Sequence, residues 1–140
     1  MLTGPIVISG SDCRLQSRCG TREGGYLHIH DVPGAGCRIL YGPHLTLPAG
    51  HYRFQLKFIL HSRGDGLVTV DLSRSGGRRE FYLRRCFEWE LNRGIIRISY
   101  QFQCITEAFE FRLYAGRGFE ISVDQLSIET QAPDMSPCLR

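Results

Sequence analysis

The sequence predicts an all-β fold, an antiparallel β-sandwich, and three observations predict it. First, after the turn residues Leu47, Pro48, Ala49 and Gly50, the chain alternates: Tyr52, Phe54, Leu56, Phe58 and Leu60 face one way. His51, Arg53, Gln55, Lys57 and His61 face the other, with Ile59 the exception. Successive side chains of a strand point to opposite sides, so this run has one apolar and one polar face. A helix would scatter Tyr52, Phe54 and Phe58 around its axis. Second, runs of the same kind recur roughly eight or nine times with turn signals between them, the spacing of a sandwich or barrel. Third, no helical period persists through any stretch the length of an ordinary helix. One apolar and one polar face per strand favours the sandwich.

In order, Ile6, Val7 and Ile8 form a short first strand, and Gly10 to Gly25 reads as a polar loop. Tyr26, His28 and His30 then alternate with Leu27 and Ile29, and Val32 to Gly36 turns the chain. Cys37 to Tyr41 is a short strand leading to the long one from His51, which the turn chemistry of Ser62 to Gly66 closes. Val68, Val70 and Leu72 point inward on the next strand, and Ser73 to Gly77 is a hairpin-like turn. Phe81 to Leu91 reads as one strand with apolar residues at odd positions, broken at Arg85. After a turn at Asn92 to Gly94, Ile96 to Cys104 alternates with Arg97, Ser99, Gln101 and Gln103. Phe109, Phe111, Leu113 and Ala115 alternate with Glu110, Arg112 and Tyr114. In the last strand, Phe119 to Ile128, the phase slips at Asp124-Gln125, which predicts a bulge. The domain is expected to span 1–130, with 131–140 a loose tail.

The 140 residues suffice for one domain with a real core, and 42% hydrophobic with 22% charged residues is the composition of a globular chain. No apolar run reaches the length that spans a bilayer, so membrane insertion is not expected. The N-terminus lacks the basic start and apolar stretch of a signal peptide. A formal charge of +3 is mild, and a nucleic-acid binder is ordinarily more basic and more clustered. The nearest cluster, Arg74, Arg78, Arg79, Arg84 and Arg85, is interrupted by Gly76 and Gly77. None of the six cysteines forms a CxxC pair, which argues against zinc. Cys104 reads as a buried small hydrophobe, and Cys13 and Cys19 bracket a loop that a local bridge would close in an oxidising compartment.

The catalytic signatures GxSxG and HExxH and the glycine-rich phosphate loop are missing. His28 and His30 share a strand face and, with Asp31 or His44, would suit a metal platform of the cupin type; an ordinary polar surface explains them as well. Glu88 and Glu90 share a face of their predicted strand, about 6–7 Å apart, within the range of glycosidase carboxylates. Nothing else supports that chemistry, so no catalytic residue is assigned. Aromatic residues with polar neighbours suit sugars better: a ring stacks on the C–H face, and planar polar groups read the hydroxyls. Tyr114, Arg112 and Glu110 form one polar row, and Gln101 lies on the preceding strand, adjacent if the two pair as a hairpin. Tyr26, His28, Tyr41 and His44 offer the same chemistry at the loop edge.

The segments Tyr41 to Phe58, YGPHLTLPAGHYRFQLKF, and Phe109 to Glu129, FEFRLYAGRGFEISVDQLSIE, carry a family likeness. The chain resembles the jelly-roll carbohydrate-binding modules of bacteria, in particular the sandwich domains beside glycosyltransferase and methyltransferase domains in surface-polysaccharide proteins. The resemblance covers Tyr26 to Glu129 and implies a jelly roll without catalytic residues. In the sugar-binding jelly rolls an aspartate entering the last strand helps to hold a structural calcium, and Asp124 matches it. Their Glu-x-Glu pair is missing from the first strand here, where Asp12 alone is near, and calcium takes several oxygen ligands. Asp124 is therefore the one candidate calcium ligand, and no cofactor is expected.

Together these readings point to non-catalytic recognition of a cell-surface or capsular polysaccharide. The module would serve as an appendage of a phage-like particle or as part of a larger enzyme, with several copies raising avidity. The alternatives are a structural decoration domain whose polar sheet meets another protein, and a small metal-dependent enzyme on a cupin-like barrel.

Overall fold

The computed structural model describes residues 4–74 and 79–131. Its strands are β1 (Ile6–Ser9), β2 (Gly20–Glu23), β3 (Tyr26–Ile29), β4 (Cys37–Leu40), β5 (Pro43–Leu47), β6 (Gly50–Ser62), β7 (Thr69–Arg74), β8 (Arg79–Arg85), β9 (Ile95–Phe102), β10 (Thr106–Ala115) and β11 (Glu120–Thr130). One short helix, α1 (Glu88–Arg93), stands between β8 and β9. The strands form two antiparallel sheets. The first is six-stranded, in the order β2-β3-β11-β6-β9, with β1 also on β11. The second is five-stranded, in the order β4-β10-β7-β8, with β5 also on β10. The predicted sandwich is the observed one.

The long strand β6 behaves as its alternation requires. Tyr52, Phe54, Leu56 and Phe58 are buried, while Ile59 faces out, 49% exposed. It holds the first sheet together by pairing with β9 on one side and β11 on the other. Phe54 stacks across the interlayer gap on Phe109 of β10, ring centroids 4.8 Å apart. Phe102 of β9 meets Phe54, Phe109 and Phe81 edge-on. Rings of opposite sheets thus fill one another's gaps, each contributing about 0.5–1.5 kcal/mol beyond the area it buries. The slip predicted near Asp124 is a register shift between Val123 and Gln125 of β11. It divides one edge of β11, where β3 pairs with Ile121–Val123 and β1 with Gln125–Ile128.

Four expectations are corrected. Phe81 to Leu91 is not one strand: β8 stops at Arg85 and α1 begins at Glu88. The Glu90 carboxylate accepts from the Phe87 N–H at 2.9 Å, which tightens the first turn. Gly94 (φ 73) ends the helix, donating to the Glu90 and Leu91 carbonyls, and a Cβ there would meet the Phe58 carbonyl oxygen at 2.0 Å. Glu88 and Glu90 therefore do not share a strand face. The polar loop from Gly10 to Gly25 contains β2, an edge strand whose sequence GTRE has no apolar alternation and which forms by pairing with β3. β9 and β10 do not form a hairpin: β9 pairs with β6, and β10 with β4, β5 and β7, in different sheets. Cys104 lies beyond the end of β9 and is exposed, and Cys13 and Cys19 are free thiols.

The expected turn at Ser73–Gly77 falls mainly outside the described residues, as do Arg78 and Cys138. So does the expected tail except for Gln131, whose N–H donates to the His51 carbonyl at 2.8 Å.

Candidate functional site

The polar row Glu110, Arg112 and Tyr114 lies on the outward face of β10, since Phe109, Phe111, Leu113 and Ala115 take the inward positions. Because β10 is central in its sheet, this row acquires neighbours on both sides. From β7, Ser73, Asp71 and Thr69 stand in register with Glu110, Arg112 and Tyr114. From β4, Arg38 stands opposite Tyr114. Polar side chains from adjacent strands thus lie against one another, and the middle of the face is shielded. Glu110 and Asp71 are each 1% exposed, although nothing of the core covers them.

The electrostatics follow from that shielding. Arg112 grips Asp71 through a two-pronged pair, Nε and Nη2 each 2.7 Å from a carboxylate oxygen. The Asp71 carboxylate holds the Arg112 guanidinium above its ordinary value, against the effect of burial. Burial, with the Asp71 charge nearby, pushes the Tyr114 phenol up to about 12, so it remains a neutral hydroxyl at all ordinary pH. His44 Nε2 lies 3.0 Å from Glu110 Oε2. The other oxygen, Glu110 Oε1, and the neighbouring Ser73 hydroxyl are buried without a partner. Unpaired buried acceptors are costly, about 1–3 kcal/mol each, so such groups mark a place where something else binds. Beside Tyr114 a hollow of about 500 Å³ opens, lined also by Arg18, Pro33 and Arg38. Arg38 lies over the Tyr41 ring at 4.4 Å.

The face therefore gathers Tyr114, Arg112, Glu110, His44 and Tyr41 from the predicted set. It adds Asp71, Ser73 and Arg38, which the sequence reading did not assign. Their signal was present: Thr69, Asp71 and Ser73 alternate on one face of β7, and Asp71 is the natural partner of Arg112. The mistaken hairpin pointed instead to Gln101, which is exposed on β9 of the other sheet.

Tyr26 and His28 also lie on the other sheet, with ring centroids 5.9 Å apart. His28 Nε2 contacts the Glu23 carbonyl at 3.2 Å, an atom that only accepts, so this nitrogen carries the proton. Nδ1 then accepts from the Ser122 hydroxyl at 2.6 Å, which in turn accepts from His61 Nε2 at 2.7 Å. His28 is committed to this chain rather than to a metal. Among the described residues no three His, Cys, Asp or Glu side chains cluster as a metal site. Asp124 sits at the bulge with its side chain exposed and its carbonyl accepting from Gly10, so the residues present do not make a calcium cage.

No protein-family model matches the sequence, and no curated protein does. Solved structures do match in shape. One is the Glycosylation Associate Protein (Gap123) complex from Streptococcus agalactiae, with TM-score 0.62, 15% identity and 92% of this chain covered. This chain spans 26% of the length of that one. Another is the C-terminal CBM6 of LamC, a marine laminarinase from Zobellia galactanivorans, with TM-score 0.57, 15% identity, and 90% of this chain and 99% of that one covered. The chain has the sandwich fold of the carbohydrate-binding modules. A third match, a carbohydrate-binding module from Cellvibrio mixtus lichenase 5A in complex with cellotriose, has TM-score 0.50 and 14% identity, and covers 91% of this chain and 98% of that one. Identities this low establish a common architecture, and any ligand must be argued from the residues of this chain.

Proposed function

We propose that the chain is a non-catalytic carbohydrate-binding module, and that the outward face of β10 and β7 is where the glycan lies. The observation that carries this reading is the pair of buried, unpartnered polar atoms, Glu110 Oε1 and the Ser73 hydroxyl, in the middle of an outward sheet face. A sugar hydroxyl donates to the first and exchanges a hydrogen bond with the second. Tyr114 supplies a half-buried ring against which a pyranose C–H face stacks, and Arg38 and His44 supply donors at the two ends. The charges of Asp71, Glu110, Arg112 and Arg38 sum to zero, which suits a neutral, hydroxyl-rich ligand. The similarity in shape to carbohydrate-binding modules supports the same reading. Hydrolysis is not part of it: the two carboxylates on the face are held by Arg112 and His44.

A cell-surface or capsular polysaccharide is the ligand class in view, presented to several copies of the module on a particle or to one copy beside an enzyme domain. One such site is weak, and repetition raises avidity without new contacts. The test is a glycan array of bacterial surface polysaccharides followed by calorimetry on the hits. Binding that Glu110→Gln and Tyr114→Ala each weaken supports the reading. No glycan signal, with tight binding to a protein partner instead, supports the decoration-domain alternative.

A further inference from the structure

A second face of the molecule carries a different chemistry. The chain has one tryptophan, and it is on the surface: Trp89 is 57% exposed and Phe87 beside it 55%. Their rings are parallel to within 7°, centroids 6.0 Å apart, so they form one apolar platform. Cationic groups surround it. Arg84 lies over the Phe87 ring at 5.3 Å and Arg93 over the Trp89 ring at 5.7 Å. Between the platform and β9 is a hollow of about 490 Å³, also lined by Arg97, Ser99 and Tyr82.

The platform is held in place from beneath. Glu90 is 2% exposed, takes Arg84 in a two-pronged pair at 2.7 and 2.8 Å, and accepts the Phe87 N–H. Arg84 also donates to the Arg97 carbonyl at 3.1 Å, tying β8 to β9. Glu90 is spent on this internal work. Arg93 and Arg97 are not neutralised: among the described residues neither forms an ion pair with a carboxylate. The hollow is thus net cationic, with Glu90 offset by Arg84 and two arginines in excess. An exposed aromatic pair is costly to leave in water, and adjacent unpaired guanidinium groups fit planar carboxylates.

We propose that this hollow is a second glycan site, taking an acidic oligosaccharide whose uronate carboxylates pair with Arg93 and Arg97 while a sugar ring lies on the Phe87–Trp89 platform. The site shares no residue with the β7–β10 face, so it stands or falls separately. The two faces divide the ligand chemistry: the balanced one reads neutral hydroxyls, and the cationic one reads acidic residues.

The experiment is calorimetry of the full chain with oligogalacturonate and with the same oligomer after carboxyl reduction. The acidic oligomer binds, the reduced one binds at least tenfold more weakly, and affinity falls as salt rises. Trp89→Ala and Arg93→Gln each weaken binding about tenfold, and Tyr114→Ala leaves it unchanged. Far-ultraviolet circular dichroism on each variant shows the fold intact. Because Trp89 is the sole tryptophan, its fluorescence reports contact independently in the unmutated protein: it shifts with the acidic oligomer and not with the reduced one. Equal binding of both oligomers, an unmoved Trp89 signal, or capture of an acidic protein in place of the glycan overturns the proposal. Loss of binding in Tyr114→Ala with none in Trp89→Ala assigns acidic glycans to the first face and overturns it too.

Discussion

Asp71→Asn removes the charge that Arg112 was built against and leaves the shape of the side chain unchanged. In the folded protein the two groups meet at 2.7 Å through both prongs, with side chains 1% and 8% exposed. Arg112 is then a cation with little water within reach and no counter-charge. Breaking such a pair from one side costs about 3–5 kcal/mol, most of it the desolvation of the partner left behind. For a chain of this size that lowers the melting temperature by roughly 10–15 °C. Urea denaturation followed by circular dichroism measures it; tryptophan fluorescence does not serve, because Trp89 is already exposed in the folded state. The double variant Asp71→Leu with Arg112→Met replaces both charges with apolar groups and recovers to within about 1 kcal/mol of the parent. A loss below about 1 kcal/mol in Asp71→Asn would refute the reasoning, since it means that water reaches Arg112 and that the face is not shielded.

Other outcomes follow from the same geometry. Burial alone would raise the Glu90 carboxyl, but the Arg84 fork and the Phe87 N–H outweigh it and hold it below the ordinary 4.5. Its contribution to stability is therefore full above pH 4.5 and is lost as pH falls through the depressed value; Glu90→Gln removes that part of the acid dependence in denaturation curves taken across this window. Gly94→Ala forces a side chain into a left-handed backbone and onto the Phe58 carbonyl, and lowers stability by more than about 1 kcal/mol in urea titration. Phe54→Ala empties the stack with Phe109 and costs about 3–5 kcal/mol by the same method. Tyr114→Ala weakens a neutral-glycan hit about tenfold in calorimetry and leaves the unfolding midpoint within a few degrees of the parent.

The fold was legible because β6, β9 and β11 bury one face and expose the other, so period two survives in the residues themselves. Even the bulge at Asp124 left its mark, as a slip in that period. The helix α1 was not legible: with Phe87, Trp89 and Leu91 at odd positions it mimics a strand, and what makes it a helix is Glu90 turning back to the Phe87 N–H and Gly94 ending the turn. Strand pairing was the other gap. Alternation says which way a side chain points and nothing about which strand lies alongside. Glu110, Arg112 and Tyr114 were therefore identified, while Gln101 was chosen as their neighbour in place of Asp71 and Ser73. Opposite charges at matching positions on β7 and β10 were the available clue, since a buried arginine requires a carboxylate. His28 and His30 suggested a metal by spacing alone; Ser122 and Asp31 take their ring nitrogens instead.

The central claim is that a glycan lies across β10 and β7. Amide chemical-shift mapping with an array-selected neutral oligosaccharide tests it most directly. The account predicts that the shifted amides cluster at Ser73, Glu110, Arg112, Tyr114 and Arg38, and that Glu110→Gln weakens the titration. Shifts confined to the β3–β11–β6 sheet around His28 and Ser122, with Glu110→Gln binding as tightly as the parent, would contradict it.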